Sequence, residues 1–194
     1  MAAETDTRRA SSRAQILKAS TMLMRSGGPS AITVDAVTRI STVARATLYR
    51  HFASTDALLA ATFTALLPPV PRLTTARSLR DRLVKSVLTH FDSASTGGSV
   101  IAAMSWLMLA AGDECAERAT LRTHLIRRCV DPIEAALCTP SARKRLGDVD
   151  VQAAATQILG PVVLAEILQL DSVDRCALAR ASVDAFLGAH SASS

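Results

Sequence analysis

The sequence predicts an all-α protein, a small basic head followed by a larger helical body, with about nine helices in all. Three observations carry that expectation. Apolar residues recur at helical spacing along almost the whole chain, and no stretch alternates convincingly as a strand. The hydrophobic share is 49% while aromatics make up only 3%, so the core must be built from Ala, Leu, Val and Ile, a mixture that favours helix. The formal charge of +5 sits on one end: residues 1–52 hold eight Lys and Arg against three acids, whereas the rest carries fourteen of each sign.

From the N-terminus, Met1–Thr7 is polar and acidic, unlike the basic and then apolar start of a secretion signal, and it is expected to be disordered, as is His190–Ser194. A first helix, about Arg8–Ser26, carries Ile16, Leu17, Leu23 and Met24 on one side. It stops at Gly27-Gly28-Pro29, where glycine supplies a C-cap and proline forbids continuation. A second, short helix starts at Thr33, whose hydroxyl caps it while Asp35 favours the positive end of the dipole; Ala36, Val37 and Ile40 form its inner face. After a turn near Ser41–Thr42 a third helix covers about Ala44–His51. Ser54 caps a fourth, about Thr55–Leu67, closed by Pro68, Pro69 and Pro71. Five longer helices are expected over about 76–92, 99–111, 114–138, 149–169 and 172–188. The breaks between them fall at Ser93–Ser99, at Gly112-Asp113, at Thr139-Pro140-Ser141 with the basic run Arg143–Arg145, and at Leu170-Asp171. Pro132 and Gly160-Pro161 lie inside expected helices and should bend them. The domain division that follows is a head of residues 8–52 and a body of residues 53–190.

The confined basic excess suits a polyanion partner for the head, although on charge alone a solvated basic face fits equally well. Cys115, Cys129, Cys138 and Cys176 form no C-x-x-C pair and none lies near a His at zinc-ligand spacing, so they are expected to be reduced, mostly buried packing residues of a cytoplasmic protein, with no metal. The most apolar segment, Val100–Ala111, falls well short of the ~20 residues a membrane span needs.

The second helix, its turn and the third helix span about twenty residues, a geometry in which one helix braces across the phosphates of a duplex while the next enters the major groove. Spacing turns Val43, Leu48 and Phe52 inward and leaves Arg45, Ala46, Tyr49 and Arg50 outward, with Thr47 and His51 on the flanks. Such a face can bond both phosphates and guanine edges. Taken in isolation, Tyr49 and His51 fit better as cap and packing residues of a surface helix.

The string Ala46-Thr47-Leu48-Tyr49-Arg50-His51-Phe52, followed by Ser54 and Ala57-Leu58-Leu59, resembles the signature of the tetracycline-repressor (TetR) family, approximately G-T-L-Y-R/Y-H/Y-F-x-S-K-E-x-L. Ile16-Leu17-x-Ala19 and the spacing Gly27…Ile32-Thr33-Val34 fit the same family, so the resemblance covers about residues 13–60. It implies a helix-turn-helix DNA-binding head and a ligand-responsive body, with repression as the default. Position by position it implies that Thr33, Tyr49 and His51 contact phosphates and that Arg45 and Thr47 reach into the groove, with Arg50 a candidate for either role. Three positions depart from the pattern: Thr42 stands where glycine is usual, Ala44 where the recognition helix usually has its capping serine, and Thr55 where a phosphate-binding lysine is usual. The first two should each cost the turn about 1 kcal/mol, and the third removes one charge contact.

For the body the resemblance implies a ligand cavity among the middle helices and a dimer interface from the last two. Phe91, Met104, Trp106, Met108, Leu121, His124 and Leu125 are the cavity candidates, because methionine is adaptable and tryptophan offers a polar handle in an apolar wall. A closed core with a Met and Trp stripe is the alternative. Ala155, Ile158, Val162, Leu178, Ala181 and Phe186 are the interface candidates, since the last helices carry apolar residues on more than one face. The partners expected are a palindromic double-stranded operator, a small apolar effector and a second copy of the chain, with no membrane. There is no G-x-S-x-G, no phosphate-cradling glycine loop and no metal-spaced His/Asp/Glu set, so no catalytic residue and no cofactor is expected. A DNA-binding protein without a ligand switch, or an activator, is the alternative reading.

Overall fold

The computed structural model describes residues 2–67, 78–89, 96–109 and 115–191. Among them every regular element is helical: α1 (Ala2–Gly27), α2 (Val34–Ser41), α3 (Arg45–His51), α4 (Thr55–Leu66), α5 (Leu79–Leu88), α6 (Thr96–Leu109), α7 (Ala116–Leu137), α8 (Pro140–Leu146), α9 (Val151–Ile167) and α10 (Arg175–Ser191), with a single 3-10 turn at Pro29–Ala31. These helices fall into two compact units. One comprises α1–α4 with the first two turns of α7, Ala116–Thr123; the other comprises α5, α6, the remainder of α7 and α8–α10. This division differs from the one expected at residue 52, because α4 groups with the helices before it. The expected breaks at Pro68–Pro71 and Gly112-Asp113 lie outside the described residues.

In the first unit α1 packs on α2, α3 and α4. Ile16 and Ala19 of α1, Val37 of α2, Leu48 of α3, Phe52, and Leu58 and Phe63 of α4 are buried, at a gain of about 1.5–3 kcal/mol for each of the larger side chains. The hydroxyls of Ser20 and Thr62, buried on α1 and α4, donate to the carbonyls one turn earlier, Ile16 at 2.9 Å and Leu58 at 2.7 Å, so neither is left unsatisfied. α1 begins at Ala2 rather than near Arg8, as nothing in Ala2–Arg9 breaks a helix. It ends where expected, and Gly27 is required there: a Cβ on it would lie 2.8 Å from that of Ala31. Ile40 corrects an expectation, being 40% exposed rather than part of the inner face of α2.

In the second unit α10 packs on α5, α8 and α9. Leu83 and Val87, Ile133, Ala154, Ile158 and Val162, and Val183 and Phe186 share one core. Arg80 of α5 and Asp184 of α10 form a two-pronged pair, Nε to Oδ1 at 2.6 Å and Nη2 to Oδ2 at 2.8 Å; it raises the arginine above its ordinary value and holds the carboxyl below its own. Burial pushes the Cys129 thiol up to about 11 and lowers the neighbouring Arg128 guanidinium, so Cys129 is a packing residue as expected. Cys138 and Cys176 are exposed instead. α8 was expected as part of a break, since proline and three basic residues mask it. Thr139 caps it through Ala142 N at 3.3 Å, Pro140 takes the first-turn position where its missing N–H is harmless, and Gly147, at φ 74°, ends it. Helices α7 and α9 run on through Pro132 and Pro161, and α10 continues to Ser191, past the point where disorder was expected.

The turn between α2 and α3 bears out the strain expected of its sequence. Thr42 is held at φ 56° and ψ 16°, a left-handed conformation that costs a β-branched residue about 1–2 kcal/mol. Ala44 has the extended backbone of an N-cap but no side chain to bond the exposed N–H groups of α3. Ala44→Ser should therefore raise the stability of the first unit by about 1 kcal/mol. Urea unfolding checks this, and an unchanged midpoint would show that the end of α3 gains nothing from a cap.

Candidate DNA-binding interface

Thr33 opens α2 in the extended conformation, at φ −110° and ψ 154°, and its Oγ1 accepts from Ala36 N at 3.2 Å. The oxygen is thus used as a cap while the O–H stays available to donate outward. Asp35 follows in the first turn. α2 ends at the buried Ser41, whose Oγ accepts from Val43 N at 3.3 Å, and the chain reverses through Thr42 into α3.

On α3 the packing is one-sided. Val43, Leu48 and Phe52 are buried, and Phe52 closes the helix by donating its N–H to Leu48 O at 2.9 Å. Helical geometry then leaves Arg45, Ala46, Tyr49 and Arg50 exposed, with Thr47 and His51 half-buried. Every residue expected on the outward face is there. Two contacts from α1 that spacing does not reveal hold the far end of α3: Ser12 Oγ and His51 Nε2 are hydrogen-bonded at 2.8 Å, and the Arg13 guanidinium lies over the Phe52 ring, 5.0 Å from its centroid. At the near end Arg45 Nη2 is paired with Asp35 Oδ1 across the turn. No periodicity announces that pair; opposite charges flanking a tight turn are the only hint the sequence carries.

The expected cavity residues are divided between the two units. Leu121 is fully buried in the first unit, while Met104, Trp106, Met108, His124 and Leu125 belong to the second. There Met104 packs on the core, Trp106 is half-buried, Leu125 is buried, His124 is exposed and Met108 is 75% exposed. Phe91 lies outside the described residues. A cleft of about 370 Å³ does exist in the first unit, between Arg13 and Leu17 of α1, Ala61 and Ala65 of α4 and Glu117 of α7; none of the expected cavity residues lines it. Of the expected interface residues, Ala155, Ile158, Val162 and Phe186 are buried in the protomer's own core, and Leu178 packs against it. Ala181 alone of the six is exposed. α9 and α10 instead present Leu164, 56% exposed, Leu168, 57% exposed, and the small residues Ala177, Ala181 and Ala185 at successive turns.

Two short helices joined by a tight turn, the second carrying a solvent-facing set of arginines and a tyrosine, form a helix-turn-helix DNA-binding head. Residues 16–62 match the model for bacterial regulatory proteins of the TetR family, so the head is similar to the DNA-binding heads of that family. Among curated proteins none is significantly similar in sequence. Solved structures share the fold. A TetR transcriptional regulator from Agrobacterium tumefaciens is 23% identical with a TM-score of 0.58, each chain 94% covered. NalD, the secondary repressor of the MexAB-OprM multidrug efflux pump in Pseudomonas aeruginosa, is 19% identical with a TM-score of 0.56, over 91% of this chain and 95% of NalD. Salmonella enterica GusR is 19% identical with a TM-score of 0.56 over the same shares. Among the described residues no helix is long and apolar enough to cross a membrane.

Proposed function

We propose that the chain is a cytoplasmic repressor that binds a palindromic operator as a homodimer and releases it when a small, mostly apolar compound occupies the body. The observation that carries the DNA-binding part is the outward face of α3, fixed by the burial of Leu48 and Phe52. In this reading Arg45 and Thr47 contact base edges, and Ala46 offers a methyl to a thymine. Thr33, Tyr49 and His51 donate to phosphates and Arg50 serves either role. A helix of seven residues reaches too few base pairs to select one site in a genome, so a second copy about one duplex turn away, ~34 Å, is needed for selectivity. The exposed alanine stripe of α10 supports that dimer, because small residues let two helices approach closely. The apolar effector rests on α6, where Met104 and Trp106 are half-buried apolar side chains.

With an operator duplex selected from a randomised library, Arg45→Ala should cost about 1–3 kcal/mol and relax specificity at one position in each half-site, whereas Tyr49→Phe should weaken all duplexes alike. Both variants should melt with the wild type, since both side chains face solvent. Full affinity in both would remove α3 from the interface.

Ala181→Glu should yield monomers that keep their helical content and lose operator affinity. A monomeric wild type in sedimentation at micromolar concentration would refute the dimer.

A series of hydrophobic compounds titrated against the protein should quench Trp106 emission, and each binder should lower operator affinity by a coupling of about 1–3 kcal/mol. Quenching without release of DNA would leave a DNA-binding protein that lacks the switch.

A further inference from the structure

We propose that Asp35 is a specificity-determining residue: its carboxylate holds the Arg45 guanidinium so that the arginine reads a base edge instead of clamping onto the nearest phosphate. The proposal rests on the reading of Arg45 as a base contact.

The pair joins the first turn of α2 to the first residue of α3, ten positions apart across the reversal at Thr42. Both side chains are largely exposed, 58% for Arg45 and 83% for Asp35. An ion pair so open to water adds little to stability, so its consequence lies in geometry and charge. Arginine offers five N–H donors in a rigid planar fork. Asp35 engages one hydrogen of Nη2, which leaves the second Nη2 hydrogen to form a two-donor edge with its neighbour, Nε–H or an Nη1 hydrogen. A fork held along one edge is pre-oriented for the paired acceptors of guanine, O6 and N7, and less of its rotamer freedom is lost on binding.

The second consequence concerns wrong sites. An unpartnered arginine at the start of a recognition helix would bind any phosphate, adding affinity for every sequence equally. Neutralised by Asp35, Arg45 gains little from a phosphate and keeps its advantage where base acceptors lie in the right place. Asp35 also stands two residues after Thr33, at the end of α2 where a phosphate is expected, and its negative charge opposes loose docking there. Affinity for random duplex is thereby reduced more than affinity for the operator.

The test compares wild type, Asp35→Asn, Arg45→Ala and the double variant on two probes of equal length, the duplex selected from a randomised library and a scrambled duplex, across a range of salt. Asp35→Asn should bind the scrambled duplex several-fold more tightly and show a salt slope steeper by about one per head. Its ratio of specific to non-specific affinity should fall about tenfold, concentrated at the base pair where Arg45→Ala relaxes selection. In the Arg45→Ala background the Asp35 change should leave that ratio unmoved. Melting curves check the fold, and a merely structural role for Asp35 would shift them without changing the position profile. An Arg45→Ala variant that loses selectivity beside an Asp35→Asn variant that keeps it overturns the proposal alone. If Arg45→Ala relaxes no position, the base-reading role falls and the proposal with it. An equal drop in both backgrounds also overturns it, since Asp35 would then act independently of Arg45.

Discussion

Neither helix that frames the interface is long enough to exist by itself. α2 has eight residues and α3 seven, below the roughly 12–15 that an isolated helix needs in water. They exist because Val37, Leu48 and Phe52 are buried in the unit whose long helix, α1, packs on both. Burial at positions 48 and 52 also sets the rotation of α3 about its axis, and that rotation decides that 45, 46, 49 and 50 face outward. The chemistry of the surface is therefore a consequence of two apolar side chains that point away from it. Removing either would cost about 2–5 kcal/mol, a large part of the ~5–15 kcal/mol that holds a small domain together.

The polar contacts around this anchor refine it rather than create it. A glycine turn needs no side-chain help, but this one is built from residues with side chains, and hydroxyls support it at each step. Thr42 Oγ1 donates to Ser41 O at 2.7 Å, and Ser41 Oγ accepts from Val43 N, where the chain straightens before α3. Those bonds offset part of the left-handed strain at Thr42. At the opposite end of α3, Ser12 and Arg13 grip His51 and Phe52. α3 is thus restrained at both ends and free along the face between them.

What the sequence disclosed follows the range of the interactions involved. The ends of α1 and α2 at the turns, the caps at Thr33 and Ser54 and the inward set of α3 are local consequences of spacing, and each is found where the residues suggest. The start of α1 at Ala2 and the exposure of Ile40 depart from it, the latter because periodicity fixes a face but not how far the neighbouring helix reaches over it. Contacts between separate elements leave no local trace: Asp35 with Arg45, Ser12 with His51 and Arg80 with Asp184 are opposite or complementary groups among many that could have paired. α8 was hidden for a different reason. Proline and a basic run suggest a loop, and only the cap from Thr139 and the burial of Ala142 and Leu146 show that the same residues make a helix.

The last two helices show how apolarity misleads when an interface is sought. Ala155, Ile158, Val162 and Phe186 looked like surplus apolar surface, yet each fills the protomer's own core, and a helix that must pack on several neighbours has to be apolar on several faces. What is left outside is less conspicuous: alanines at 177, 181 and 185, with leucines at 164 and 168. Alanine gains little from leaving water, so a hydropathy pattern gives it little weight, but its absence of bulk is what allows two helices to meet at short distance. Leucines left more than half exposed in pairs are harder to reconcile with a permanently solvated face than single ones. The residues that suit a partner are therefore those the core did not need. Charging Phe186 would test only whether the protomer folds, whereas a charge at Ala181 falls on surface that the protomer leaves open.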